Sequence, residues 1–463
     1  MDQSRRSTLK KLAAGTAGIT IGGLGFSAKS YAKIKGANDR LNLCVIGTKG
    51  QGFGHIRRWA GMAEAQNVLL KTICDVDENL FAERVQATQE LQGEAPGTEV
   101  DMRKVFEDKD IDAVSVATPN HWHALATIWA CQAGKHVYVE KPCSHNIFEG
   151  RKMIDAARKY NRIVQVGFQN RSINNVRKAM QFLHDGGIGD VYMARGLCYK
   201  PRDSFGMAED GTPPEGLHYD LWLGPAPDRP YNEKRLHYNW HWFWDTGNGD
   251  IGNQGPHQFD IARWGLNKNE HPVKIHSNGG YFAFGDVCAQ ETANTQTATY
   301  TYDDGKMLEF EVRGLYTAGE SGLNVKIGNV FYGTEGYLEL DGDTWKSYLG
   351  RENEPGPSSD DEADTAQATS NGGQELGYLA APGGGGHYQN FLTAVRSGNI
   401  EDLTCDIEEG YLSTVLPHLA NISYRLGREV QFDGSKEKFV NDKEADAMLS
   451  REYREPYVVE ENV

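Results

Sequence analysis

The turn Gly47-Thr48-Lys49-Gly50-Gln51-Gly52-Phe53-Gly54 follows the apolar run LNLCVIG and precedes a helical stretch. Glycines in that place let the backbone approach a pyrophosphate, which then sits on the positive end of the following helix. Gly47, Gly50 and Gly52 give the spacing GxxGxG rather than GxGxxG, and tight packing turns use glycines as well. Asp75 closes the next apolar run, VLLKTICD. A carboxylate there accepts hydrogen bonds from ribose hydroxyls and repels the extra phosphate of NADP. Turn and acid together predict NAD as the cofactor, with NADP disfavoured. Two further polar stretches, Thr118-Pro119-Asn120-His121-Trp122-His123 and Glu140-Lys141-Pro142, close the runs DAVSVA and KHVYV. Both fall where open parallel sheets bind their ligands.

The elements needed to hold these residues are legible as a rhythm. From Leu41 to about residue 168 apolar runs alternate with helical stretches, which predicts a Rossmann domain: an α/β parallel sheet with helices on both faces. A helix over 173–185 leads into DVYMARGLCYK and a long loop rich in Pro, Gly and aromatics. From Val273 to Leu340 several long strands follow, with Asp304-Gly305 as a hairpin turn. Residues 169–440 are therefore expected to form an α+β domain on a large, mostly antiparallel sheet. Residues 351–376 have almost no large apolar side chains and read as an exposed insertion. The helical stretches HYQNFLTAVRSG and IEEGYLSTVLPHLANISYRLG close the domain.

The glycine turn, the TPNHWH stretch, Glu140-Lys141-Pro142 and the trailing α+β domain together resemble the Gfo/Idh/MocA oxidoreductases, over nearly the whole chain. The resemblance implies a cofactor-binding set of Gly47, Gly50, Gln51, Gly52, Asp75, Thr118, Asn120, His123, Glu140 and Lys141. It places Lys141 near the nicotinamide and the reacting hydroxyl, where an ammonium stabilises an alkoxide. In Gly252-Asn253-Gln254-Gly255-Pro256-His257-Gln258-Phe259-Asp260 it puts the catalytic histidine at His257, taking the hydroxyl proton. Four residues earlier many sugar dehydrogenases of the family carry aspartate; this chain has Asn253. One helical turn would set Asn253 and His257 on one face, and asparagine binds a hydroxyl without sharpening the base. Asp260 is expected to anchor its helix to a neighbouring arginine or backbone amide. The implied activity is transfer of hydride from a sugar or cyclitol hydroxyl carbon to NAD. The alternatives are a redox-neutral NAD-dependent glycoside hydrolase or lyase using the same site, and a non-catalytic sugar-binding protein. A homo-dimer or tetramer is implied by resemblance alone.

The loop RLHYNWHWFWDTGNGD brings Tyr238, Trp240, Trp242 and Trp244 together, either to stack on sugar rings or to fill an interior. Arg171, Lys200 and Arg202 are expected to bind sugar hydroxyls or a carboxylate, Trp244 and Asn253 to line the same substrate site. His387, after a glycine run, is a weaker candidate. The chain opens with a twin-arginine pattern, Ser4-Arg5-Arg6-Ser7-Thr8-Leu9-Lys10, a weakly apolar stretch and a small-residue exit at Ala32. Residues 1–32 therefore read as a signal peptide for the twin-arginine export machinery, and thus for the periplasm or another exported location. That route carries folded protein, so a cofactor would travel inside. The net charge of −16, about −20 once five Lys/Arg and one Asp of the signal are removed, argues against nucleic acid and anionic membranes. No later segment is apolar enough to span a bilayer. Seven cysteines, without CxxC or metal-ligand spacing, read as small buried apolar residues. No metal site is expected.

Overall fold

The computed structural model describes residues 39–360 and 386–463; the proposed signal and most of the expected insertion lie outside the described residues. The chain from Leu41 onward forms one unit.

The short apolar runs become strands because both faces of the first sheet are covered. They are β1 (Leu41–Ile46), β2 (Val68–Cys74), β3 (Gly97–Glu99), β4 (Ala113–Val116), β5 (His136–Val139) and β6 (Val164–Val166). All pair in parallel, in the order β3-β2-β1-β4-β5-β6. The order reverses between β1 and β4, so a crevice opens beyond their carboxyl ends. Helices α1 (Gln51–Gly61), α2 (Phe81–Gln92), α3 (Asn120–Gln132) and α4 (Ile147–Lys159) connect the strands. Pro119, at φ −58°, stands at the N-cap of α3, which therefore begins three residues before the helical stretch expected from His123. Asn120 to His123 form its first turn, at the mouth of the crevice.

After α5 (Asn174–His184) the second sheet begins with β7 (Val191–Cys198). It continues with β8 (Lys274–Gly280), β9 (Thr295–Thr301), β10 (Met307–Arg313), β11 (Ile327–Gly333) and β12 (Gly336–Asp341). β13 (Thr344–Leu349) and β14 (Glu354–Ser358) extend it at one edge, so the first residues of the expected insertion pair as an edge strand. At the other edge lie β15 (Val430–Asp433) and β16 (Lys438–Phe439). The order is β14-β13-β12-β11-β7-β10-β9-β8-β15-β16, antiparallel except where β7 meets β10. Gly305, at φ +84°, closes the β9–β10 hairpin.

One face of this sheet carries α6 (Gly249–Asn253), α7 (Gly255–Gly265) and α9 (Ile407–Leu426), while α8 (His387–Ser397) packs on the first sheet. Phe259 of α7 stacks on Phe310 of β10 with centroids 4.0 Å apart. The Tyr300 hydroxyl donates to the Leu416 carbonyl at 2.9 Å. The last twenty residues return to the first domain: Phe148 N donates to Leu449 O, and Tyr457 meets Trp122 edge-on at 5.4 Å. The two sheets are thus clamped, with the crevice of the first beneath α6 and α7 of the second.

Candidate active site

At the floor of the crevice the glycine turn is made by close contact. Gly47 has φ +82°, and a Cβ there would stand 2.8 Å from the backbone of Ala117 and Thr118. A Cβ on Gly52 would lie 1.7 Å from the Gly47 carbonyl oxygen. Asp75 braces the same turn: its Oδ2 accepts from the Thr48 amide at 2.6 Å and from Thr48 Oγ1 at 2.9 Å. Its Oδ1 accepts from the Asp77 amide at 3.0 Å. Burial pushes the Asp75 carboxyl above the usual carboxylate range, against the pull of those bonds. Oδ1, with a single bond, has lone-pair capacity left for a ribose hydroxyl.

The wall facing this turn is formed by Thr118 and Asn120. Thr118 Oγ1 and Asn120 Nδ2 are buried, with no hydrogen-bond partner among the described residues. Orphaned polar atoms beside a glycine cradle, at a sheet's switch point, fit the ribose and amide groups of a bound dinucleotide. His123 has a different task from the cofactor contact expected of it. Its ring nitrogens lie 2.7 Å from the carbonyls of Thr118 and Pro142, so it ties the two loops together and has no nitrogen left for a ligand.

Glu140 also turns away from the cleft. Its Oε1 accepts from Gln169 Nε2 at 3.0 Å and Gln51 Nε2 at 3.2 Å, and lies 2.9 Å from His55 Nε2. Burial opposes its ionisation, but the hydrogen bond and charge of His55, then the charge of Lys141, hold its pKa at about 2. Gln51 thus serves Glu140 through its side chain, and any cofactor contact would fall to its backbone. The expected cofactor role of the Glu140 side chain is corrected to that of a buried counter-charge.

Lys141 does not pair with its neighbour. Its Nζ donates to the Asn253 carbonyl at 2.8 Å. That carbonyl is free because α6 ends at Asn253: the His257 amide bonds to Gln254 O, not to Asn253 O, and α7 starts afresh with Pro256 in its first turn. The continuous helical turn expected over Asn253 and His257 is therefore two helices meeting at Gln254. Asn253 contributes backbone to the site. Burial lowers the Lys141 pKa and Glu140 opposes it; the cations Lys200 and Arg202 lower it further, and Asp250 opposes them. His257 is 8 % exposed, edge-on to Phe168 at 6.0 Å. Burial and then the charge of Lys141 push its pKa down to about 3, so it is a neutral imidazole at neutral pH.

The remaining candidates separate. Arg171 is buried and taken up by Asp260, at 2.8–3.0 Å, and by Glu409 at 3.0 Å. It anchors α7 and cannot bind substrate. Asp260, also bonded to Ser413, has the anchoring partner expected of it. Arg202 is bidentate to Asp250 at 2.6 and 2.7 Å and donates to the Tyr238 hydroxyl at 3.2 Å. It fixes the aromatic loop beside the cleft. Trp244 packs under Arg425 and near Tyr424 of α9, away from the substrate role expected of it. His387 is held by Val166 O and Ser172 Oγ, each at 2.8 Å, in a structural position. Lys200 has no ion pair or hydrogen bond among the described residues.

Sequence reasoning missed two residues. His55 lies on the buried face of α1 beside Ile56 and Trp59, and a histidine in an apolar helix face was its only sequence signal. His241 stacks on Trp240 at 3.6 Å, with Nδ1 2.5 Å from the Tyr238 carbonyl. Burial first, then the charges of Lys141 and Arg202, keep it neutral against the pull of that carbonyl.

Residues 41–168 match a family model described as "Oxidoreductase family, NAD-binding Rossmann fold". Residues 206–331 and 378–459 match its companion, "Oxidoreductase family, C-terminal alpha/beta domain". Among curated proteins, levoglucosan dehydrogenase of Pseudarthrobacter phenanthrenivorans is 34% identical over 162 residues, 34% of this chain and 40% of that protein. A glycosyl hydrolase family 109 protein of Shewanella pealeana is 29% identical, over 34% of this chain and 38% of its own length. Inositol 2-dehydrogenase of Salmonella typhimurium is 28% identical, over 34% and 46%. The matched part thus spans less than half the length of these relatives. Among solved structures, levoglucosan dehydrogenase in complex with NADH and levoglucosan aligns with TM-score 0.63 at 19% identity, over 85% of this chain and all of that one. The WlbA dehydrogenase of Bordetella pertussis, in complex with NADH and UDP-GlcNAcA, aligns with TM-score 0.59 at 19% identity, over 85% and 99%. At these identities the alignments speak for the fold.

Proposed function

The chain belongs to the Gfo/Idh/MocA oxidoreductase family, and from that premise we propose that it moves hydride from a hydroxyl-bearing carbon of a sugar or cyclitol to a tightly held NAD. One observation carries the reading: at the ligand end of β5 an ammonium with no ion pair among the described residues, Lys141, donates to the Asn253 carbonyl, four residues before the buried imidazole of His257. When bound, NAD supplies the hydride acceptor. The glycine turn and Asp75 would hold its pyrophosphate and adenosine ribose, with Thr118 and Asn120 along the crevice. His257 takes the hydroxyl proton, and Lys141 stabilises the oxygen as negative charge grows on it. Burial keeps water from competing for that oxygen.

A second reading, redox-neutral cleavage of a glycoside at the same site, is favoured by His241. Oxidation alone needs one proton acceptor, and a second neutral imidazole in the field of Lys141 suits a second proton transfer. The family 109 hydrolase among the relatives points the same way.

Identifying the nucleotide released on denaturation, then mixing the native protein with sugars and glycosides while following nicotinamide absorbance, tests both. NADH that persists with a free sugar supports oxidation; aglycone release without net NADH supports cleavage. Neither product, nor any bound nucleotide, would remove the proposal. We further propose export with the cofactor inside and assembly as a dimer or tetramer. Finding the protein only in the cytoplasm, or sedimenting only as a monomer, would reject these points.

A further inference from the structure

We propose that the substrate is a carboxylate-bearing sugar, and that Lys200 is the residue that selects it. The inference rests on the proposed oxidoreductase site but concerns binding rather than chemistry.

Side chains alternate along β7. Arg195 and, just beyond the strand, Tyr199 face the open side of the sheet, where Glu309, Glu311, Glu320 and Arg313 pair among themselves and with them. Ala194, Gly196 and Cys198 face α7 and are buried; a Cβ on Gly196 would touch Gln258, the neighbour of His257. Lys200 is next in that second row. It is half-buried, and its charge is felt by both Lys141 and His257. The acids within reach of the cleft are already engaged. Asp250 is bidentate to Arg202, and Glu140 accepts from Gln51 and Gln169 beside His55. Lys141 bonds only an uncharged carbonyl, and Lys200 bonds nothing among the described residues.

Two ammoniums, Lys141 in the field of Lys200, with no carboxylate among the described residues free for either, leave a local positive excess in a chain of net charge −16. Such an excess is offset when a ligand brings the missing anion. The donor set favours a monoanion. A phosphate would ask for several converging donors or a free guanidinium fork, and the fork of Arg202 is occupied. With Lys141 on the reacting hydroxyl, Lys200 is left for a carboxylate elsewhere on the same ring.

The full-length protein with its nucleotide is titrated, by tryptophan fluorescence, with matched pairs: methyl glucuronoside against methyl glucoside, and methyl galacturonoside against methyl galactoside. The acid of at least one pair should bind about tenfold or more tightly, and the advantage should shrink as salt rises. Lys200→Met should collapse the acid-to-neutral ratio, while Lys200→Arg should keep most of it. If the neutral sugar of both pairs binds as tightly as the acid, or Lys200→Met leaves the ratio unchanged, the inference fails. Should Lys200→Met fold poorly, the wild-type ratio, its salt dependence and Lys200→Arg still decide. Acid-selective binding without any nicotinamide reduction would overturn the oxidoreductase reading and leave this inference standing.

Discussion

His257 and Lys141 constrain each other through the charge each lacks. With its pKa near 3, the imidazole is in its basic form throughout the working range, and the ammonium beside it helps keep it so. Ordinary histidine chemistry would fade tenfold per pH unit below about 6.5. The acid limb of bound-NAD reduction should therefore be absent between pH 7.5 and 5.5, and a decline with midpoint near 6.5 would show that another group is the base. His257→Ala should slow single-turnover reduction by roughly 10²–10⁴-fold with the nucleotide still bound. Lys141→Ala should be comparably severe. Because both act on one oxygen, the double variant should lose far less than the product of the two. Reduction at the wild-type rate in His257→Ala would move the proton transfer elsewhere, with His241 as the next residue to test.

The elements carrying these residues depend on a few backbone contacts. With the Gly47 carbonyl 1.7 Å from where its Cβ would be, Gly52→Ala must displace backbone, since no flexible side chain is there to yield. Strain of about 1–3 kcal/mol is the usual cost of such overpacking, so nucleotide affinity should fall about 10- to 100-fold. Gly61→Ala, at the far end of the same helix with open space around it, should leave affinity unchanged. Equal retention of nucleotide by both variants would mean that the turn does not cradle it. This turn was legible in the sequence because glycine, strand and helix signals are all local. So was the parallel sheet, whose doubly covered strands are short apolar runs. The break at Gln254 was not, because Gln254 keeps helical φ and ψ and the polar pattern runs through it. Nor were the partners of Arg171, Glu140 and His55, which stand 89 and 85 residues apart and depend on how the elements pack. Arg171 looked like a substrate ligand only because its acid was out of sight.

Across the whole molecule, burial has left many histidines neutral, and this ties stability to pH. Burial is the largest cause of the low pKa in each of His121 and His257, near 3, and His136, His387 and His418, near 4. Each titrates near 6.5 when unfolded, so below that pH the unfolded chain binds protons that the folded chain refuses. The sign follows: stability is full above about pH 6.5 and falls as pH drops from there toward the folded values. Each group adds up to about 1.4 kcal/mol per pH unit over that window. Glu140, depressed to about 2, extends the loss below its unfolded value of 4.5, while Asp75 and Glu149, both raised by burial, oppose the loss from the histidines at pH above their own unfolded values of 3.8 and 4.5. Domains are stable by only about 5–15 kcal/mol, so several such groups acting together should unfold the protein near pH 4–5. Urea midpoints at pH 7.5, 6.5 and 5.5, at constant salt, measure this directly. They should fall modestly between the first two and about three times as far again by the third. A midpoint that holds constant down to pH 5 would mean that the buried imidazoles take up protons without disturbing the fold.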